Sequence, residues 1–305
     1  MLCQNSGLGN LIDPITSLSM PYDIPFYAIM SCRGNKREVG VEHHKIMGKI
    51  TYPILHLLDA NIVKFDSDKC KFEREHCSEN KSCFIVLDRP LNGGNSAGYA
   101  KKNSLPQEFV KKSLYQEKVD KELFFEQEIA MKKVINFFRE KAVYFSTTGI
   151  TSRMLYGIED NDCNFYMQGS MGCVSSIALG VSFSTNKNVI VFDGDGSLLM
   201  KMGNLATNGQ YGKNNFVHVL FNNGAYVSTG GQPTVSVRFC EIAMASGYKD
   251  AQIVFTMDEL ERYLLSLANV EGPHFVEIPV KIPCKHWPRP QLAPKEITMR
   301  FMRNF

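Results

Sequence analysis

The chain has 305 residues, 44% of them hydrophobic and 21% charged, and carries a net charge of +3. That length suits two domains of ~150 residues each or one large one, with apolar material enough for a sizeable core. The charge balance excludes a basic nucleic-acid stripe, so no nucleic-acid partner is expected. With no signal peptide and no run of ~18 apolar residues, no membrane partner is expected either, and the chain is placed in the cytoplasm.

Residues 1–91 open on the Gly-rich turn Asn5-Ser-Gly-Leu-Gly-Asn10. A strand-like run follows at 25–31, a helical stretch at 45–59 and a buried-strand run at 84–87. Nine cysteines occur without a Cys-x-x-Cys pair. The cluster Cys70, His76, Cys77 and Cys83 has no common zinc spacing, so the thiols are read as reduced. Residues 92–128 begin Asn-Gly-Gly-Asn-Ser and continue through dense Lys and Glu, which is linker chemistry. From 129 to 290 helical and strand patterns alternate: helix 129–141, strand 142–145, helix 170–183, strand 188–192, helix 197–211, strand 216–221, helix 259–267 and strand 274–279. Residues 291–305 are set apart as a tail. Such alternation implies right-handed crossovers and an α/β fold with a parallel sheet covered on both faces.

In sheets of that kind ligands bind at the carboxyl ends of the strands. The stretch "VFDGDGSLLM" at 191–200 puts Asp-Gly-Asp-Gly at such an end, with Ser197 as the predicted cap of the next helix. The strand "FVHVLF" ends likewise in Asn222-Asn223-Gly224-Ala225. Neighbouring parallel strands bring these ends together, so Asp195 and an asparagine can face one point. A carboxylate, an amide oxygen and a backbone carbonyl are hard oxygen ligands, suited to a Mg²⁺ that also holds phosphate oxygens. Gly194 and Gly196 let a diphosphate approach the backbone, and the following helix offers its N-terminus. Two unrelated polar turns are the alternative.

Gly194-Asp195-Gly196 followed by Asn222-Asn223 resembles the signature of thiamine diphosphate enzymes. The resemblance implies thiamine diphosphate and Mg²⁺ as cofactors. It implies Asp195, Asn223 and the carbonyl of Ala225 as metal ligands, with Asn222 as the alternative amide. "GSMG" at 169–172 resembles the loop that supports the bent cofactor, which brings in Gly169, Ser170 and Met171. Met171 would stand between the two cofactor rings, against the alternative of an ordinary core methionine. "STTGITSR" at 146–153 resembles the other diphosphate-side loop, with Thr148 and Gly149 as contacts and Thr151 at the margin. Ser197 joins Gly194, Asp195 and Gly196 in the same set.

Together with "QNSGLGN" and "NNGAYVSTGGQPTV", these stretches resemble the phosphonopyruvate decarboxylase family over almost the whole chain, with sulfopyruvate decarboxylases as near relatives. The implied fold is two thiamine-diphosphate-type α/β domains with parallel sheets covered by helices. The first, at 1–91, is an incomplete pyrimidine-facing domain, and the second, at 129–290, binds the diphosphate. The implied reaction is decarboxylation of a small 2-oxo acid, phosphonopyruvate, to phosphonoacetaldehyde and CO₂. A sulfopyruvate decarboxylase-like subunit and a non-catalytic cofactor-binding protein are the alternatives.

His43-His44 resembles the paired histidines near the substrate in pyruvate decarboxylases, where an imidazole suits proton delivery near pH 7. Without the resemblance the pair reads as a solvated helix start. Arg33, Arg153, Lys201 and Arg238 are the candidate cations for a phosphonate. Two features depart from the family. Its glutamate that bonds the pyrimidine ring lies ahead of the "QNSGLGN" turn, whereas this sequence begins Met1-Leu-Cys-Gln4. A homo-oligomer, or a hetero-oligomer with a chain that supplies the missing half-domain, is therefore expected. The family also commonly has a histidine after Asn-Asn-Gly-Ala, where this chain has Tyr226.

Overall fold

The computed structural model describes residues 1–34, 42–66, 71–76, 81–87 and 125–305, and the chain divides into two units, Met1–Glu108 and Phe109–Phe305. The first unit contains β1 (Leu2–Gln4), α1 (Leu8–Pro14), β2 (Tyr27–Ser31), α2 (Glu42–Leu57), β3 (Asn61–Asp66), β4 (Lys71–His76) and β5 (Cys83–Leu87). Its sheet runs β1-β2-β5-β3-β4, parallel as far as β3, with β4 antiparallel at the edge. Along β2 the side chains alternate: Ala28 and Met30 are buried, whereas Tyr27 and Ile29 are exposed. Leu8, Ile15, Leu55, Phe84 and Val86 complete that core.

The "QNSGLGN" turn has a structural task. Asn5 is fully buried; its Nδ2 donates to the Arg33 carbonyl (2.9 Å) and to Thr51 Oγ1 (3.0 Å), and its Oδ1 accepts from the Arg33 N–H (3.0 Å). One side chain thereby joins the ends of β1 and β2 to α2. At the same place a Cβ on Gly34 would strike the backbone of His44, and one on Gly48 would strike the backbone of Gly34. Cys70 and Cys77 of the predicted thiol cluster lie outside the described residues. So does 92–124 of the predicted linker. Phe125 already forms a parallel bridge with Val280.

The second unit opens with α3 (Gln127–Phe138), two residues earlier than expected, and continues β6 (Ala142–Ser146), α4 (Ile150–Ile158), β7 (Asn164–Tyr166), α5 (Val174–Ser182), β8 (Asn188–Gly194), α6 (Asp195–Met200) and α7 (Asn204–Tyr211). Then come β9 (Phe216–Asn222), the small hairpin β10 (Ala225–Tyr226) and β11 (Gln232–Pro233), α8 (Phe239–Ala245), β12 (Asp250–Ile253), α9 (Met257–Ser266), β13 (His274–Pro279) and α10 (Pro294–Met302). The sheet is β12-β13-β9-β8-β6-β7, and every pairing in it is parallel. Residues 189–193, 216–221 and 274–279 are buried without a break, as strands covered on both faces must be.

Three predicted elements differ in the folded chain. The helix expected at 170–183 starts only at Val174, because Ser170 (φ 52°) and Gly172 (φ 93°) adopt left-handed backbone that no α-helix accepts. The helix expected at 197–211 is interrupted. Lys201 leaves the helical region (φ −138°, ψ 41°), and Asn204 Nδ2 bonds the Gly172 carbonyl at 2.9 Å, tying α7 to the 169–172 loop. Residues 291–305 are no tail: α10 buries Ile297 and Phe301, whose ring lies 5.0 Å from that of Phe145 and 5.5 Å from that of Phe165. Arg300 bonds Asp160 and Asp162 alongside. Among the described residues no helix is long and apolar enough to cross a membrane.

Candidate functional site

From β6 the chain crosses to β7 on one side and then to β8 on the other, so the strand order reverses between β6 and β8. A ligand site is expected at the carboxyl edge of such a switch point. Two predicted loops meet there. The Thr147 N–H donates to the Phe192 carbonyl (2.9 Å), and its Oγ1 lies 2.6 Å from Ser197 Oγ. Gly194 has the extended backbone of a cap, so Ser197, expected as the cap, lies inside α6 with its hydroxyl bonded to Thr147. Thr148 and Gly149 follow, both half-buried. The Thr151 hydroxyl instead accepts from Gln127 Nε2 (3.1 Å) and is directed to α3.

Asp195 begins α6 and is only 2% exposed. Its Oδ2 accepts from Thr234 Oγ1 at 2.6 Å, and the backbone N–H groups of Gly196 and Asn223 also bond the carboxylate. The two sequence motifs are thus joined by a hydrogen bond. Burial pushes the Asp195 pKa up, while the hydrogen bonds from Thr234 and the backbone hold it down. Among the described residues no lysine, arginine or histidine pairs with it. A buried carboxylate with only neutral donors lacks the positive charge that ordinarily offsets its desolvation.

β9 ends in a tight turn. Asn222 Nδ2 donates to Glu277 Oε1 (2.8 Å) and its Oδ1 accepts from the Gly224 N–H (3.2 Å). Asn223 Oδ1 accepts from the Ala225 N–H (2.9 Å). Of the two amides, Asn222 is therefore turned toward the sheet, and Asn223 stands half-buried beside Asp195. Among the described residues no three His, Cys, Asp or Glu side chains are grouped so as to hold a metal ion. The donor set at this turn is one carboxylate, one amide and backbone carbonyls, which suits Mg²⁺ rather than zinc.

The β10–β11 hairpin covers both glycine turns. A Cβ on Gly196 would lie 2.5 Å from the Tyr226 ring, and one on Gly149 would lie 2.5 Å from Ser228 Oγ. Its far strand leads to Thr234, the donor to Asp195. Met171 is half-buried, unlike a core methionine, between Ser170 and Gly172; Gly169 is half-buried before it. The Lys201 stem lies against Gly172, while Arg238 bonds Glu241. Arg153 is inside α4, and Arg33, His43 and His44 belong to the first unit, the histidines on α2. Sequence reasoning missed Thr147, Thr234, Ser228 and Glu277. Each is an ordinary residue in its local pattern, and only its distant partner marks it.

Residues 151–278 match the family model described as "Thiamine pyrophosphate enzyme, C-terminal TPP binding domain". The chain is 32% identical, over 98% of its length, to a phosphonopyruvate decarboxylase of Streptomyces viridochromogenes, and covers 77% of that protein. It is 31% identical, again over 98% of its length and 77% of the relative, to a phosphonopyruvate decarboxylase of Streptomyces hygroscopicus. A sulfopyruvate decarboxylase subunit beta of Methanocaldococcus jannaschii is 36% identical over 56% of this chain and 93% of the subunit.

Proposed function

This chain belongs to the phosphonopyruvate decarboxylase family of thiamine pyrophosphate-dependent carboxy-lyases, and from that premise we propose that it decarboxylates phosphonopyruvate to phosphonoacetaldehyde and CO₂. The observation that supports a cofactor site in this chain is Asp195: a buried carboxylate at the switch point, bonded by the Asn223 N–H and with no cationic partner among the described residues. When bound, thiamine diphosphate supplies the sink for the electrons that remain as CO₂ leaves a 2-oxo acid.

The chain's own residues then have separable tasks. Asp195, the Asn223 amide and the Ala225 carbonyl would hold Mg²⁺ by hard oxygen atoms. Thr148, Gly149, Gly194, Gly196 and Ser197 would line the diphosphate side, and Gly169, Ser170 and Met171 would form the support on which the cofactor bends. Tyr226 and the β10–β11 hairpin, packed over Gly196, would keep water from the strand ends. His43 and His44 would deliver a proton to the product carbon. Lys201, against the 169–172 loop, is the cation we assign to the substrate's anionic group. Working in the cytoplasm, the chain would assemble with further copies or with a separate chain, as subunit-type relatives do in name.

The sulfopyruvate reading is kept because the match to a sulfopyruvate decarboxylase subunit has the higher identity, although over only 56% of the chain. A coupled aldehyde assay with each substrate, in the presence of thiamine diphosphate and Mg²⁺, separates the two. Turnover of phosphonopyruvate is expected. Turnover of sulfopyruvate alone would reassign the substrate, and loss of neither carboxylate would overturn the decarboxylase reading.

A further inference from the structure

We infer that Glu277 is a positioning residue for the metal-binding turn: it holds the Asn222 amide, and through it sets the backbone that presents Asn223 and Ala225. This rests on the reading of those two residues and Asp195 as Mg²⁺ ligands. Glu277 is 2% exposed in the middle of β13, opposite Leu220 of β9 and Ile253 of β12. Its strand neighbours Phe275, Val276 and Ile278 are buried and apolar. An ionic group at such a position is costly, and an apolar residue of similar volume would serve the sheet at least as well. The carboxylate has a specific contact instead. Oε1 accepts from Asn222 Nδ2 at 2.8 Å, and Oε2 is 3.7 Å from Cys240 Sγ.

A carboxylate only accepts hydrogen bonds when ionised, so it dictates which way the Asn222 amide points. The NH₂ group must face Glu277, and the amide oxygen must therefore face the turn. There it accepts the N–H of Gly224, whose φ is 71°. The next two bonds follow from that bend: Asn223 Oδ1 with the Ala225 N–H, and the Asn223 N–H with the Asp195 carboxylate. A glutamine at 277 can offer either its oxygen or its NH₂ to Asn222, and the orientation is no longer dictated.

The test is Mg²⁺ titration of the full chain with thiamine diphosphate, by calorimetry, on the parent, Glu277→Gln, Asn222→Ala and the double variant, with thermal melts of each. Groups that orient a metal ligand typically contribute about 10–100-fold in metal affinity. Glu277→Gln is expected to lose about that much with a melt close to the parent's. The double variant is expected to be no weaker than the weaker single one, because both act through one contact. Additive losses, or Mg²⁺ affinity in Glu277→Gln equal to the parent's, would overturn the inference alone. A parent that takes up no Mg²⁺ would overturn the metal-ligand reading and this inference with it.

Discussion

Replacing Gly196 by alanine adds one carbon, and the structure says where that carbon must go. It would lie 2.5 Å from Tyr226 Cε1 and 2.6 Å from Cδ1. Carbon atoms rest at about 3.5–4.0 Å, so the ring must retreat by about 1 Å. Tyr226 is half-buried on a two-residue strand, whereas α6 follows directly from the buried β8, so the hairpin yields first. The hairpin leads to Thr234, and its bond to Asp195 carries the shift to the carboxylate. Overpacking of this kind costs about 1–3 kcal/mol. In a unit of this size that lowers Tm by about 2–12 °C. Where binding needs the hairpin back in its parent position, the bound state bears a further cost of that size and cofactor affinity falls about 5–150-fold. Scanning calorimetry and thiamine diphosphate titration at saturating Mg²⁺ measure both. Tyr226→Ala in the Gly196→Ala background removes the two clashing atoms and is expected to restore binding. Tyr226→Phe keeps them and is not. Parent-like affinity in Gly196→Ala, or equal rescue by phenylalanine, would refute the reasoning.

Asp195→Ala is expected to abolish Mg²⁺-dependent retention of thiamine diphosphate, since no other described carboxylate bonds the Asn223 N–H; equal affinity in calorimetry would remove Asp195 from the site. Phe301→Ala leaves a hole between Phe145 and Phe165 and is expected to cost about 3–5 kcal/mol in urea denaturation; a loss near zero would return α10 to the status of a tail. His43→Ala and His44→Ala are expected to slow turnover by ~10²–10⁴ with cofactor affinity retained, and unchanged rates in both would exclude the pair from proton delivery. Sedimentation is expected to find a dimer or larger assembly when cofactor is bound; a cofactor-loaded monomer would contradict it.

Much of the second unit was legible along the chain. The apolar run at 189–192 and the run at 216–221, broken only by His218, read as strands covered on both faces, and strands separated by helices read as parallel, so the sheet and the edge where its strands end followed from sequence. The glycine–aspartate and asparagine pairs at those strand ends were legible for the same reason. What sequence did not determine depends on register and backbone angle. Ser197 had a cap's composition, yet the extended backbone at Gly194 took the cap position and Ser197 turned to Thr147. The left-handed Ser170 delayed α5, and Lys201 divided one predicted helix into two. Thr234 reaches Asp195 across 39 residues, and Glu277 reaches Asn222 across 55. Periodicity is a local property that a chain carries in its own order, whereas a hydrogen bond between distant residues exists only once strand register has placed donor opposite acceptor. For that reason the different surroundings of Asn222 and Asn223 were not legible in the sequence: one amide is turned to a buried carboxylate, and the other stands at the strand ends beside Asp195.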